Sequence, residues 1–218
     1  MNMDIYETSK GVVKELLSSG TEIGVIGGWA IWAYNPYKYS MDIDIVLRPS
    51  SFWVIRDRLL QLGFNETSGG HLGKKGFKKA VDNGAIEVDV YDDKIGPFTA
   101  EDVLNRSLEK DLFGMKAKVA SPTDLTILKV HALAERRESG KGQKDISDLI
   151  ALLLAERQEN DVAEVRRVVE RKVLKDAVAL VTSSFQQTSR FYPLSMDEYR
   201  KLKSALEMWI GRSPHGLT

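Results

Sequence analysis

Ile23-Gly24-Val25-Ile26-Gly27-Gly28, a spacer of thirteen residues, then Asp42-Ile43-Asp44-Ile45-Val46-Leu47: one short apolar run leads into a glycine pair, and a second carries an Asp-x-Asp. Such runs predict strands at 22–26 and 41–47, with a short helix from 28 to 34 stopped by Pro36. Alternate residues of a strand point to one face, so Asp42 and Asp44 are expected to share a side. Two like charges at that spacing are costly unless a cation lies between them. Hard carboxylate oxygens suit Mg²⁺, which is usually held by one or two carboxylates together with substrate phosphates. Glycines at the head of a helix let a phosphate approach the backbone amides closely. The combination predicts metal-assisted phosphoryl or nucleotidyl transfer.

The same pattern resembles the nucleotidyltransferase superfamily that includes DNA polymerase beta. Its signature is a Gly-Gly or Gly-Ser turn, a spacer of this length, Asp-x-Asp on a strand and a third carboxylate on a neighbouring strand. The resemblance is nearest to the AbiEii-like toxin, minimal and antibiotic-modifying nucleotidyltransferases. Many of these carry Arg-x-Thr-x-Asp-x-Asp, where this chain has Lys38-Tyr39-Ser40-Met41-Asp42-Ile43-Asp44. Lysine keeps the charge and loses the planar fork of arginine. The resemblance implies that Asp42, Asp44 and Asp89 are catalytic and hold Mg²⁺, or Mn²⁺ in its place. Asp89 lies in Ile86-Glu87-Val88-Asp89-Val90-Tyr91, and Glu87, on the same strand face, is its alternative.

Composition bounds the reading. The chain has 218 residues, 43% of them hydrophobic, enough for one large domain or two small ones. Its 31 basic and 31 acidic residues balance, so any nucleic-acid partner must be met by a local patch. There is no cysteine, which removes disulfides and thiol chemistry. Met1 to Lys10 is polar, and no apolar run reaches the roughly 20 residues of a membrane span. The expectation is a cytoplasmic protein without a membrane partner.

Further along, a helix is expected at 7–19, another from Ser50 or Ser51 to Gly63, a strand at 84–91 and a strand at 116–119 after a hairpin at Phe113-Gly114. Residues 64–83 look irregular, and 99–111 reads as a charged stretch. Four lysines, Lys74, Lys75, Lys78 and Lys79, with Gly69, Gly70, Gly73 and Gly76, read as a cationic loop or hairpin around His71. From Ser121-Pro122 onward the pattern is helical: a helix after Pro122, then 145–156 following a break at Gly140 and Gly142, then 161–182, whole or interrupted, and 195–210. The fold class is therefore α/β (α+β): a mixed-sheet nucleotidyltransferase core at 1–120 followed by a C-terminal helical domain at 121–218, with the site expected in the cleft between them.

Gly27 and Gly28 are expected to embrace the nucleotide phosphates. Ser40 either bonds a phosphate oxygen or caps the strand, and Trp29 packs at the start of its helix. The run Ser121-Pro122-Thr123-Asp124-Leu125-Thr126-Ile127-Leu128-Lys129 is similar to the helix that follows the catalytic sheet in AbiEii-like proteins. There a Lys-Asp pair opens the next helix, here Lys144-Asp145. By that resemblance Lys129 reaches nucleotide phosphates and Asp145 lies near the site. The alternative is an ion pair of Lys129 with Asp145 or Asp148 between packed helices. The expected activity is transfer of a nucleoside monophosphate from an NTP to a hydroxyl of RNA or tRNA, protein or a small molecule, in a toxin–antitoxin setting. Two rivals stand beside it: an antibiotic-modifying enzyme, and a non-catalytic nucleotide- or RNA-binding module of the same fold. Sequence does not name the acceptor or the oligomeric state.

Overall fold

A computed structural model describes residues 5–67, 73–82, 84–136, 139–155, 161–184 and 194–211. His71 and part of the glycine-rich run before Gly73 lie outside these residues. The chain divides into two compact units, Met1–Ser121 and Pro122–Thr218.

The first unit is built on one mixed sheet. Its elements in order are α1 (Ile5–Leu17), β1 (Ile23–Ile26), α2 (Gly27–Tyr34), β2 (Ile43–Leu47), α3 (Phe52–Gln61), β3 (Asn65–Thr67), β4 (Lys74–Val81), β5 (Gly84–Tyr91), a small ribbon of β6 (Lys94–Ile95) and β7 (Phe98–Thr99), α4 (Ala100–Arg106), β8 (Leu108–Leu112) and β9 (Met115–Val119). The seven-stranded sheet has the order β3-β4-β5-β2-β1-β9-β8. β1 is antiparallel to β2 and parallel to β9, and β2 is parallel to β5. The central strands are the most apolar: all four residues of β1 are buried, as are Ile43, Ile45, Val46 and Leu47 of β2. That is the signature of strands covered on both faces.

Three differences from the sequence pattern bear on the site. The irregular stretch contains β4, which pairs with β5 along its whole length. Its lysines hid it, because Phe77 is its one buried residue. The charged stretch contains α4, capped by Thr99, whose hydroxyl accepts from the Asp102 amide at 3.0 Å. α4 turns Leu104 toward Gly24 and Val46, where a Cβ on Gly24 would stand 3.2 Å from Leu104 Cδ1 and 2.8 Å from Val46 Cγ2. Finally, β2 begins at Ile43, two residues later than its apolar pattern suggests.

The second unit is helical: α5 (Pro122–Arg136), α6 (Gly140–Leu154), α7 (Val162–Val168), α8 (Arg171–Ser183) and α9 (Met196–Trp209). Gly140 and Gly142 do not break α6. They form its first turn, and the Ser139 hydroxyl caps it by accepting from the Gly142 amide at 3.1 Å. The amides of a first turn have no partner within the helix, so glycine costs least there. The third helical stretch is interrupted, forming α7 and α8 parted at Val169 and Glu170. α9 starts on a capping box formed by Ser195 and Glu198. Among the described residues no helix is long and apolar enough to cross a membrane.

Candidate active site

The site begins with a register. Asp44 of β2 is the direct partner of Asp89 of β5 in the parallel ladder. Paired residues of neighbouring strands project to the same face, so the two carboxylates stand side by side. Glu87 shares that face but is registered opposite Lys78, and its carboxylate takes a hydrogen bond from Lys78 Nζ at 2.7 Å on open surface. The ladder thus sets Asp89, not Glu87, next to Asp44.

Asp42 lies just outside the strand and is exposed. Its carbonyl accepts a 2.9 Å hydrogen bond from the buried Ser40 hydroxyl, closing a local turn before β2. Met41 is tied down too: its carbonyl accepts from Ser9 Oγ at 3.2 Å, and Ser9 Oγ accepts in turn from Trp29 Nε1 at 3.2 Å. Trp29 is fully buried, edge-on to Phe113 with ring centres 5.0 Å apart. It packs rather than presenting its ring to a base, and through Ser9 it helps fix the turn that carries Asp42.

The two glycines have different neighbours. Gly27 has φ +64°, a conformation that favours glycine, and a Cβ there would overlap the Asp44 carboxylate. Gly28 has ordinary backbone, but a Cβ would stand 2.6 Å from Ser40 Oγ and 2.7 Å from Ser40 Cβ. α2 starts at this pair without a side-chain cap. Its opening turn therefore meets the Asp44 carboxylate on one side and the Ser40 turn on the other.

β4 adds residues from the stretch that reads as a cationic loop or hairpin, and its antiparallel pairing with β5 makes it one arm of a hairpin. Lys74 Nζ donates to Asp89 Oδ2 at 2.6 Å, and Lys75 pairs with Asp92 while lying 3.7 Å above the Phe52 ring. Lys79 Nζ donates to the Leu62 carbonyl at 2.7 Å. The lysines thus serve cross-strand and local partners. The signal was present in Asp82-Asn83-Gly84, a turn sequence. Counting back from the Val81–Gly84 pair puts Lys74 opposite Tyr91, one diagonal step from Asp89. Among the described residues no three histidine or acidic side chains converge as a set of metal ligands would.

In the second unit, Lys129 of α5 meets α6. Its ammonium lies 2.9 Å from Asp145 Oδ1 and 2.6 Å from Asp148 Oδ2, and Arg136 Nη1 lies 3.2 Å from Asp145 Oδ2. Burial pushes the Lys129 ammonium down. The charges of Asp148 and Asp145, with their hydrogen bonds, outweigh that and hold it above the ordinary lysine value. Both partners expected for Lys129 are engaged at once, and they join the two helices.

Residues 6–195 match a protein family described as "Nucleotidyl transferase of unknown function". The chain belongs to that family. Members of such a family are enzymes of nucleotidyl transfer, and the fold agrees. An antigenic nucleotidyltransferase-like protein from Paracoccidioides brasiliensis is similar over 86% of this chain and 91% of its own, with a TM-score of 0.51 and 18% identity. The antibiotic-resistance factor ANT(2'')-Ia is similar over 86% of this chain and all of its own, with a TM-score of 0.57 and 14% identity. JHP933 from Helicobacter pylori is similar over 96% of this chain and 94% of its own, with a TM-score of 0.57 and 11% identity. No curated protein matches the sequence.

Proposed function

We propose that this family member transfers a nucleoside monophosphate from an NTP to a hydroxyl acceptor, with Asp42, Asp44 and Asp89 as its acidic centre and a divalent cation, Mg²⁺ or Mn²⁺, as cofactor. The observation that carries the reading is the pairing of Asp44 with Asp89 beside the Gly27-Gly28 turn. The donors fit a hard cation. They are carboxylate oxygens, two of them suffice when substrate phosphates complete the shell, and one already attracts the Lys74 ammonium. Bound there, the metal would stabilise charge on the transferring phosphoryl group.

The protein's own groups divide the work. Gly27 and Gly28 keep side chains away from the opening turn of α2, leaving its amides to the β- and γ-phosphates. Asp44 and Asp42 hold the cation side of the triphosphate. Asp89 receives the proton of the acceptor hydroxyl. The acceptor oxygen bonds to the α-phosphorus, the bond from that phosphorus to the oxygen bridging it to the β-phosphorus breaks, and pyrophosphate leaves. Ser40 shapes the turn, and Lys129 with Asp145 holds α5 to α6. The reading does not rest on those three.

The acceptor class is the open part. One solved structure of ANT(2'')-Ia, similar to this chain with a TM-score of 0.54 and 14% identity, holds adenylyl-2''-tobramycin, a small-molecule product. An AbiEii-like toxin would instead modify RNA or protein. Incubation with each labelled NTP, Mg²⁺, total tRNA and an aminoglycoside panel separates them, with label expected on one acceptor and lost in Asp44→Asn. Absence of label from every acceptor and from the protein itself, with MgNTP still bound, would favour the non-catalytic binding module.

A further inference from the structure

The Lys74–Asp89 contact differs from its neighbours on the same ladder. Lys78–Glu87 lies between directly opposed residues on open surface, with side chains 52% and 49% exposed. Lys74 instead reaches diagonally, from opposite Tyr91, to an aspartate that is only 25% exposed and stands beside Asp44. The residue directly opposite Asp89 is Gly76. A Cβ there would stand 3.6 Å from Asp89 Oδ1 and would overlap the Thr67 hydroxyl. The residue opposite Asp89 thus offers its carboxylate no side-chain partner of its own, and Lys74 reaches Oδ2. The ammonium is therefore seated on one oxygen of the carboxylate that the proposed cation needs.

We infer that Lys74 is a positioning residue that competes with the metal for Asp89, so that metal and nucleotide bind cooperatively. This rests on the reading of Asp89 as a metal ligand. In the metal-free protein the ammonium holds Asp89. A partly exposed lysine holds a carboxylate weakly, whereas a small doubly charged ion attracts it more strongly, so the ion displaces the ammonium at a cost in affinity. The displaced ammonium gains an anionic partner only when a triphosphate arrives. Metal alone is bound reluctantly, metal with NTP readily, and by linkage each raises the affinity of the other by the same factor.

The test is Mn²⁺ binding to the purified full chain, followed by electron paramagnetic resonance with and without a non-hydrolysable NTP analogue. Lys74→Met keeps the side-chain length and removes the charge. It should tighten Mn²⁺ binding at least fivefold without nucleotide and shrink the factor by which the analogue enhances it. Lys74→Gln should behave likewise, and Lys74→Arg should restore the wild-type pattern. Asp89→Asn is the control and should weaken Mn²⁺ binding. If Asp89→Asn weakens it while Lys74→Met and Lys74→Gln, with native circular dichroism, leave affinity and enhancement unchanged, the competition is refuted and the site stands. If Asp89→Asn leaves Mn²⁺ affinity unchanged, the ligand assignment and the inference fall together.

Discussion

Asp44 and Asp89 are equivalent by charge and neighbours by register, yet the chemistry asks different things of them. Asp44 lies against the Gly27 turn, and Asp89 lies toward Lys74. Asp44→Asn is expected to abolish metal-dependent NTP binding in equilibrium titration while the circular dichroism spectrum stays native. Asp89→Asn is expected to slow single-turnover transfer by a factor on the order of 10²–10⁴, the range for loss of a general base, with a smaller effect on NTP affinity. Glu87→Gln should be silent in both assays, since Glu87 is held by Lys78. Gly28 calls for a different experiment, because a side chain there meets Ser40 before it meets any ligand. Gly28→Ala should destabilise the protein by about 1–3 kcal/mol through overpacking, and Ser40→Gly in the same chain should recover most of that in urea denaturation. If nucleotide affinity stays at least tenfold weaker in the recovered double variant, the phosphates approach this backbone directly. At this scale the apolar runs around Asp44 and Asp89 were legible as strands because their pattern is local, whereas the register that sets Asp89 rather than Glu87 abreast of Asp44 joins strands far apart in sequence. The place of Asp42 was not legible: a serine hydroxyl two residues earlier bonds its carbonyl in a turn, and the strand begins only at Ile43.

Between elements, charge is used in two ways. On the β4–β5 ladder lysines face carboxylates on partly exposed surface, where each pair contributes little to stability. Between α5 and α6 the same ion types are buried: Lys129 is 13% exposed and Asp145 1%. Lys129→Met would remove the buried cation that Asp145 and Asp148 share, leaving Asp145 the more exposed Arg136, and removal of one partner from a buried pair costs about 3–5 kcal/mol. Urea denaturation should record a loss of that size. Because the folded-state value of Lys129 is raised, its contribution is fully present below the ordinary lysine value of 10.5. It is lost as pH climbs from there toward the higher folded value, as the unfolded chain releases the proton first. Wild-type stability minus Lys129→Met stability should therefore be flat from pH 7 to 9 and shrink above about pH 10.5. The helices themselves were readable, since apolar residues at helical spacing mark α5 and α6. Their limits were less so where glycines in a capped first turn looked like breakers. β4 was missed because its register partners lie up to 17 positions away, as between Lys74 and Tyr91. Nothing in a window around Lys74-Lys75-Gly76 announces them.

For the molecule as a whole, the change at Ser121 from mixed strands and helices to helices alone was visible in composition, and two compact units divide there. The order of strands was not visible, because periodicity tells a strand from a helix and says nothing of its neighbours. β1 is followed in sequence by β2, its antiparallel partner, but its other edge is taken by β9, with Gly24 against Lys118. Pairings of that separation are slow to form, and sheets dominated by them fold in milliseconds to seconds. Stopped-flow refolding should show a main phase in that range, whereas a chain of purely local contacts would finish in microseconds to milliseconds. The same topology has a meaning for the nascent chain. β2, β4 and β5 are complete once Tyr91 has left the ribosome, so the two aspartates can be brought abreast while translation is still under way. Until Met115–Val119 follows, the wholly apolar Ile23–Ile26 strand lacks its second partner and offers an open edge to any other chain nearby. The interval between those two points in synthesis is when the β1 edge stands open to mispairing.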